Sequence, residues 1–127
     1  MSLKIEIETI PHSRQRYDTV GDWFFKPDAT WKINVSDLAD WRYELLVAVH
    51  ELVEMGLCND RGITAQRIDR FDIAYENNRL PGDTTEPGDA TDAPYRNEHC
   101  AATGIERILA AHLGIDWSDY EKTINEL

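Results

Sequence analysis

The residues best suited to chemistry lie in "VAVHELVEMGLC", residues 47–58, where His50 and Glu54 are four apart and Glu51 follows the first. On a helix that spacing puts two side chains on one face, one turn apart, so His50 and Glu54 converge and can hold one divalent ion. Glu51 is rotated by about a quarter turn from that pair. A catalytic zinc site has three protein ligands, so a third must come from elsewhere in the chain. The leading candidate is His99, in "YRNEHCAATGIE", at the start of a helical segment that follows an acidic loop, where a ligand can face a cleft. Two His and one carboxylate suit zinc first, and Fe(II) or Mn(II) as well.

Other groups compete for the third position. Glu98 adjoins His99, and Glu106 is seven residues beyond it, on the same helix face. In "RIDRFDIAYE", Asp69, Asp72 and Glu76 are spaced by three and four, so Asp72 or Glu76 could be a ligand or accept a His ring proton. Arg67, Arg70 and Arg79 stand near enough to make ordinary helix-surface ion pairs with them instead. Cys58 and Cys100 lie close to the candidate ligands, although buried inert thiols are the commoner outcome for such residues. His12 and His112 read as structural or exposed, and the four tryptophans as core or edge anchors.

The elements that must position these groups follow from periodicity. Residues 3–10, "LKIEIETI", alternate with Ile5, Ile7 and Leu3 on one side, the pattern of a half-buried strand ended by Pro11. A hairpin is predicted over residues 23–35, turning through Pro27 and Asp28. Ser36 or Asp37 can cap a central helix that runs to Gly56, with Leu38, Trp41, Leu45, Val49, Leu52 and Gly56 as its apolar stripe. Tyr43, Val47, His50 and Glu54 share a second, partly apolar face, and a His and a Glu covered there require pairing or a metal. A second helix starts at the Thr64 cap and runs to about Leu80 with Ile68, Phe71 and Tyr75 on one stripe. Residues 80–94 hold three prolines and two glycines among acids, and a loop of that length in a small domain ordinarily serves function. Helix returns from Tyr95 to Gly114, and a short last helix begins near Asp116.

The 127 residues are one domain's length, and 42% hydrophobic content fills a core. The fold expected is α+β in a single domain, residues 1–127: a small antiparallel sheet, a central site-bearing helix and two or three further helices. A net charge of −11 disfavours a nucleic-acid partner, because phosphate contacts need Lys and Arg. No apolar stretch is long enough for a membrane span and the first residues are unlike a signal peptide, so a soluble cytoplasmic protein is expected. Two cysteines are too few for a disulfide scaffold, and free thiols are expected.

Two resemblances join these readings. The strand "WKINV" followed by the helix bearing "HELVE", over residues 30–58, resembles the edge strand and active-site helix of zincin metallopeptidases, with HExxE in place of HExxH. It implies His50 as ligand, Glu54 at the second ligand position, Glu51 as base, and Trp31 to Val35 as the strand that receives an extended peptide substrate. The set completed by His99 matches the His2Glu composition of metallopeptidases with one His and the Glu exchanged. The longer pattern "QRYDTVGDW", "VHELVEMGLC", "RFDIAYE", "EPGDATDAPYRNEH" resembles small uncharacterised proteins of phages and environmental bacteria. The function expected is a metal-dependent hydrolase with a minimal zincin-like site, cleaving a peptide or amide bond. The alternative is a non-catalytic acidic protein of phage type that binds a basic protein surface.

Overall fold

The structure is a computed structural model and describes residues 2–127. Strands β1 (Ile5–Ile10), β2 (Gly21–Phe25) and β3 (Trp31–Ser36) make one sheet in the order β1-β3-β2. β2 and β3 form the predicted hairpin, antiparallel with Trp23 opposite Ile33. β1 runs parallel to β3, with Ile7 opposite Ile33, so the sheet is mixed and not antiparallel throughout. The correction has a simple origin: period-two alternation sets the two faces of a strand and carries no information about the direction of its neighbour. A second correction concerns Trp31 to Val35, expected at the edge. β3 is the central strand, both of its hydrogen-bonding edges are taken, and no substrate strand can add to it.

Helix α1 (Trp41–Arg61) begins later than a cap at Ser36 or Asp37 would place it. The chain first turns through Ala39 at φ 60°, and Asp40 then caps the helix by accepting from the Arg42 N–H at 2.9 Å. The Glu44 carboxylate accepts from the Leu38 N–H at 2.9 Å and ties down the approach to the helix. α1 continues through Gly56 and stops at Gly62, whose φ of 75° is the left-handed conformation that ends helices. α2 (Ala65–Asn77) starts at the Thr64 cap, α3 (Arg96–His112) follows Tyr95, and α4 (Trp117–Asn125) starts at the Asp116 cap. The intervening acidic segment is irregular apart from one 3-10 turn at Pro87–Asp89.

The apolar stripe expected to face the core is not the buried face of α1. Trp41 is 65% exposed and Leu45 38% exposed, whereas Leu46, Val47, His50, Glu54, Met55 and Cys58 are buried. The reason is that α1 is covered from two directions, by β2 and β3 on one flank and by α3 along the other. Ile33, Leu46 and Met55 have no exposure, and each such side chain stabilises the fold by about 1.5–3 kcal/mol. The face that carries His50 and Glu54 thereby lies between α1 and α3. β1 lies beyond this cover, and its Ile5 and Ile7 remain 38% and 46% exposed, more than a half-buried strand would leave them. No helix among the described residues is long and apolar enough to cross a membrane.

Candidate metal centre

One turn of α1 supplies His50 and Glu54, and the first turn of α3 supplies His99. His50 Nε2 lies 3.2 Å from Glu54 Oε2 and 3.2 Å from His99 Nδ1, and His99 Nδ1 lies 3.0 Å from Glu54 Oε2. Three donors of two residue types therefore form a nearly equilateral triangle. Ligands of a tetrahedral zinc ion bonded at about 2.0–2.1 Å stand about 3.3 Å apart, so the triangle has the dimensions of one face of such a site. All three residues are buried, between 5% and 7% exposed.

Each corner is held from behind. His50 Nδ1 is 2.8 Å from Glu106 Oε1, and Tyr120 donates its hydroxyl to Glu106 Oε2 at 2.6 Å. With Nδ1–H donated to that carboxylate, His50 presents Nε2 to the triangle, where a bound ion would take the place of a proton; a carboxylate behind the ring fixes a ligating imidazole in this way. The Trp23 indole N–H donates to Glu54 Oε1 at 3.0 Å and leaves Oε2 pointing at the two rings. His99 is backed by the acidic loop: Glu86 Oε2 lies 2.8 Å and Asp89 Oδ1 3.5 Å from its Nε2, both off the line of a hydrogen bond. Gly88 lies flat on the same ring, where a Cβ would come within 2.3 Å of His99 Cγ. Only glycine lets the loop approach this closely.

The electrostatics favour a positive charge at the centre. Burial alone would lower both imidazole pKa values, but the bonds to Glu106 and Glu54 raise His50 well above its usual value. His99 is likewise raised to about 10 by Glu54 and Glu86, against the effect of burial. Burial would raise the Glu54 carboxyl, yet the bonds to His50 and His99 bring it down to about 2. A divalent ion would compete with these protons for the same lone pairs.

Glu51 and this triangle border one half-open cavity of about 300 Å³. Its carboxyl makes no hydrogen bond or ion pair among the described residues, and burial followed by the Glu54 charge raises its pKa well above the usual value. Its chain rests against Gly21, where a Cβ would lie 2.7 Å from Glu51 Cγ and Oε1. Across the cavity Asp72, pushed up to about 7 by burial, accepts hydroxyl hydrogens from Tyr95 at 2.5 Å and Tyr17 at 3.2 Å.

The structure brings His50, Glu54 and His99 together and leaves the other candidates outside their triangle. Glu76 pairs with Arg79 at 2.7 Å, Glu98 with Arg61 at 2.6 Å, and Asp69 with Arg16 at 3.0 Å. Glu106, weighed as a ligand, sits on the far nitrogen of His50, the position weighed for Asp72 or Glu76. His12 bridges Ser36 and Asp18. Cys58 is buried and Cys100 exposed, both free, and burial raises the Cys58 thiol. Trp23, Tyr120, Glu86 and Gly88 are the residues that sequence reasoning passed over. Only the predicted functional loop hinted at the last two. Comparison with protein-family models, curated proteins and solved structures finds no match.

Proposed function

We propose that the protein is a metal-dependent hydrolase of a peptide or amide bond, with His50, Glu54 and His99 holding one divalent ion, zinc by default. The observation that carries this reading is the triangle of two imidazole nitrogens and one carboxylate oxygen, 3.0–3.2 Å on each side, at the wall of an open cavity. Zinc, when bound, supplies Lewis acidity toward a carbonyl and toward water. The chain supplies the rest. Glu106 and Trp23 orient His50 and Glu54, and the loop turn at Pro87–Asp89 closes over His99. Glu51 stands on the next position of α1 with no hydrogen-bond or ion-pair partner among the described residues, free to accept a proton within the cavity and return it to a leaving amine. Burial and the Glu54 charge raise its proton affinity above that of an ordinary carboxylate.

The test separates catalysis from metal retention. Glu51→Gln is expected to keep the metal content of the wild type and to lose cleavage of a fluorogenic peptide library by about 100-fold or more, the scale of a positioned general base. Equal turnover in the variant contradicts the base role. Metal without turnover in either protein leaves a metal-stabilised binding module as the reading.

A further inference from the structure

β1 is an edge strand, and its outer side has no strand partner among the described residues. The Trp31 N–H donates to the Lys4 carbonyl at 2.9 Å, so Lys4 turns its backbone groups toward β3. By the alternation of a strand, the N–H and C=O groups of Ile5 and Ile7 turn outward, away from the sheet, and Leu3 lies just ahead of β1 in line with them. The side chains of these same three residues form an apolar row that is 62%, 38% and 46% exposed. A free edge with an apolar row is a template for another strand unless charge or a bulge blocks it.

We infer that two copies of this chain associate through antiparallel pairing of β1 with β1, with Ile5 on the two-fold axis. The register follows from charge. With Ile5 opposite Ile5 of the second copy, Leu3 faces Ile7 and Lys4 faces Glu6, twice over by symmetry. Moving the axis to Lys4 or Glu6 opposes two like charges, and moving it to Ile7 sets Glu6 against Glu8. Opposite charges across a strand pair stabilise it and like charges oppose it, so one register is favoured. The net charge of −11 would resist self-association of most of this surface. The β1 edge escapes that resistance, because Lys4, Lys26 and Lys32 surround Glu6 and Glu8 at 2.6–3.9 Å. The product is a continuous six-stranded sheet with both cavities left open, since β1 is the strand farthest from the metal centre in the order β1-β3-β2.

Light scattering across a concentration series reads the mass directly. The wild type is expected at twice the 14.6 kDa of one chain, and Ile5→Lys, folded by circular dichroism, at one. In a Cys100→Ser background, Ile5→Cys is expected to form a disulfide-linked dimer under mild oxidation, because residues bonded opposite one another have Cα atoms about 5.5 Å apart. Thr9→Cys, on the same face but away from the axis, is expected to stay uncrosslinked. A mass of one chain at every concentration overturns the proposal. So does a dimer that Ile5→Lys leaves intact, or equal cross-linking at positions 5 and 9. The Ile5→Cys result also stands where Ile5→Lys fails to fold.

Discussion

The His50 ring is gripped at both nitrogens, by Glu106 Oε1 at 2.8 Å on Nδ1 and by Glu54 Oε2 at 3.2 Å on Nε2. One carboxylate comes from the same helix and the other from α3, so the ring's tilt is set by the packing of two helices. Glu106→Gln keeps the size of the side chain and removes its charge. It is expected to weaken zinc binding by about 10- to 100-fold, the scale of such outer partners, with the fold retained. A chelator competition titration measures it, and unchanged affinity would remove Glu106 from the centre.

Asp72, held by Tyr95 and Tyr17 outside the triangle, provides a pH test. Its folded pKa of about 7 lies above the usual 3.8, so the unfolded chain releases this proton first as pH rises. Below the lower value both states are protonated and nothing is lost; between the two values stability falls by up to about 1.4 kcal/mol per pH unit. Asp72→Asn removes that decline. The stability difference between variant and wild type, from urea melts, is expected to shift in favour of Asn from pH 4 to pH 7 and then level off. A difference independent of pH contradicts the burial argument for this carboxyl.

Two glycines separate the metal from the base. Gly88→Ala would drive a methyl group into the His99 ring, and backbone and ring must shift, a strain of about 1–3 kcal/mol. Lower stability and weaker zinc binding are expected together. Gly21→Ala presses only on the flexible Glu51 chain, so turnover is expected to fall while zinc affinity holds. Calorimetry beside a peptide assay distinguishes them, and a Gly21→Ala protein that loses zinc would contradict the separation.

Much of this was legible from spacing, and the exceptions share a cause. His50 and Glu54 declare themselves through the helical period, and His99 through its place after a loop rich in Pro and Gly. The α+β composition and the four helices follow from periodicity and caps such as Thr64 and Asp116. What periodicity lacks is relative placement of elements. It does not say that β1 joins β3 in parallel, nor that α3 covers the α1 face opposite Trp41. Glu106 illustrates the point: its position on the His99 face was visible, but whether it meets the ion or the back of His50 depends on how α3 lies across α1. The same limit hid Trp23 and Tyr120, whose single polar hydrogens matter only once their partners are known.

The central claim is that His50, Glu54 and His99 share one cation, and zinc titration of the metal-stripped protein tests it most directly. One equivalent of zinc per chain is expected, displacing protons as it binds and lost in His50→Ala, Glu54→Ala and His99→Ala alike. No uptake at micromolar zinc, or uptake that survives all three substitutions, would contradict it.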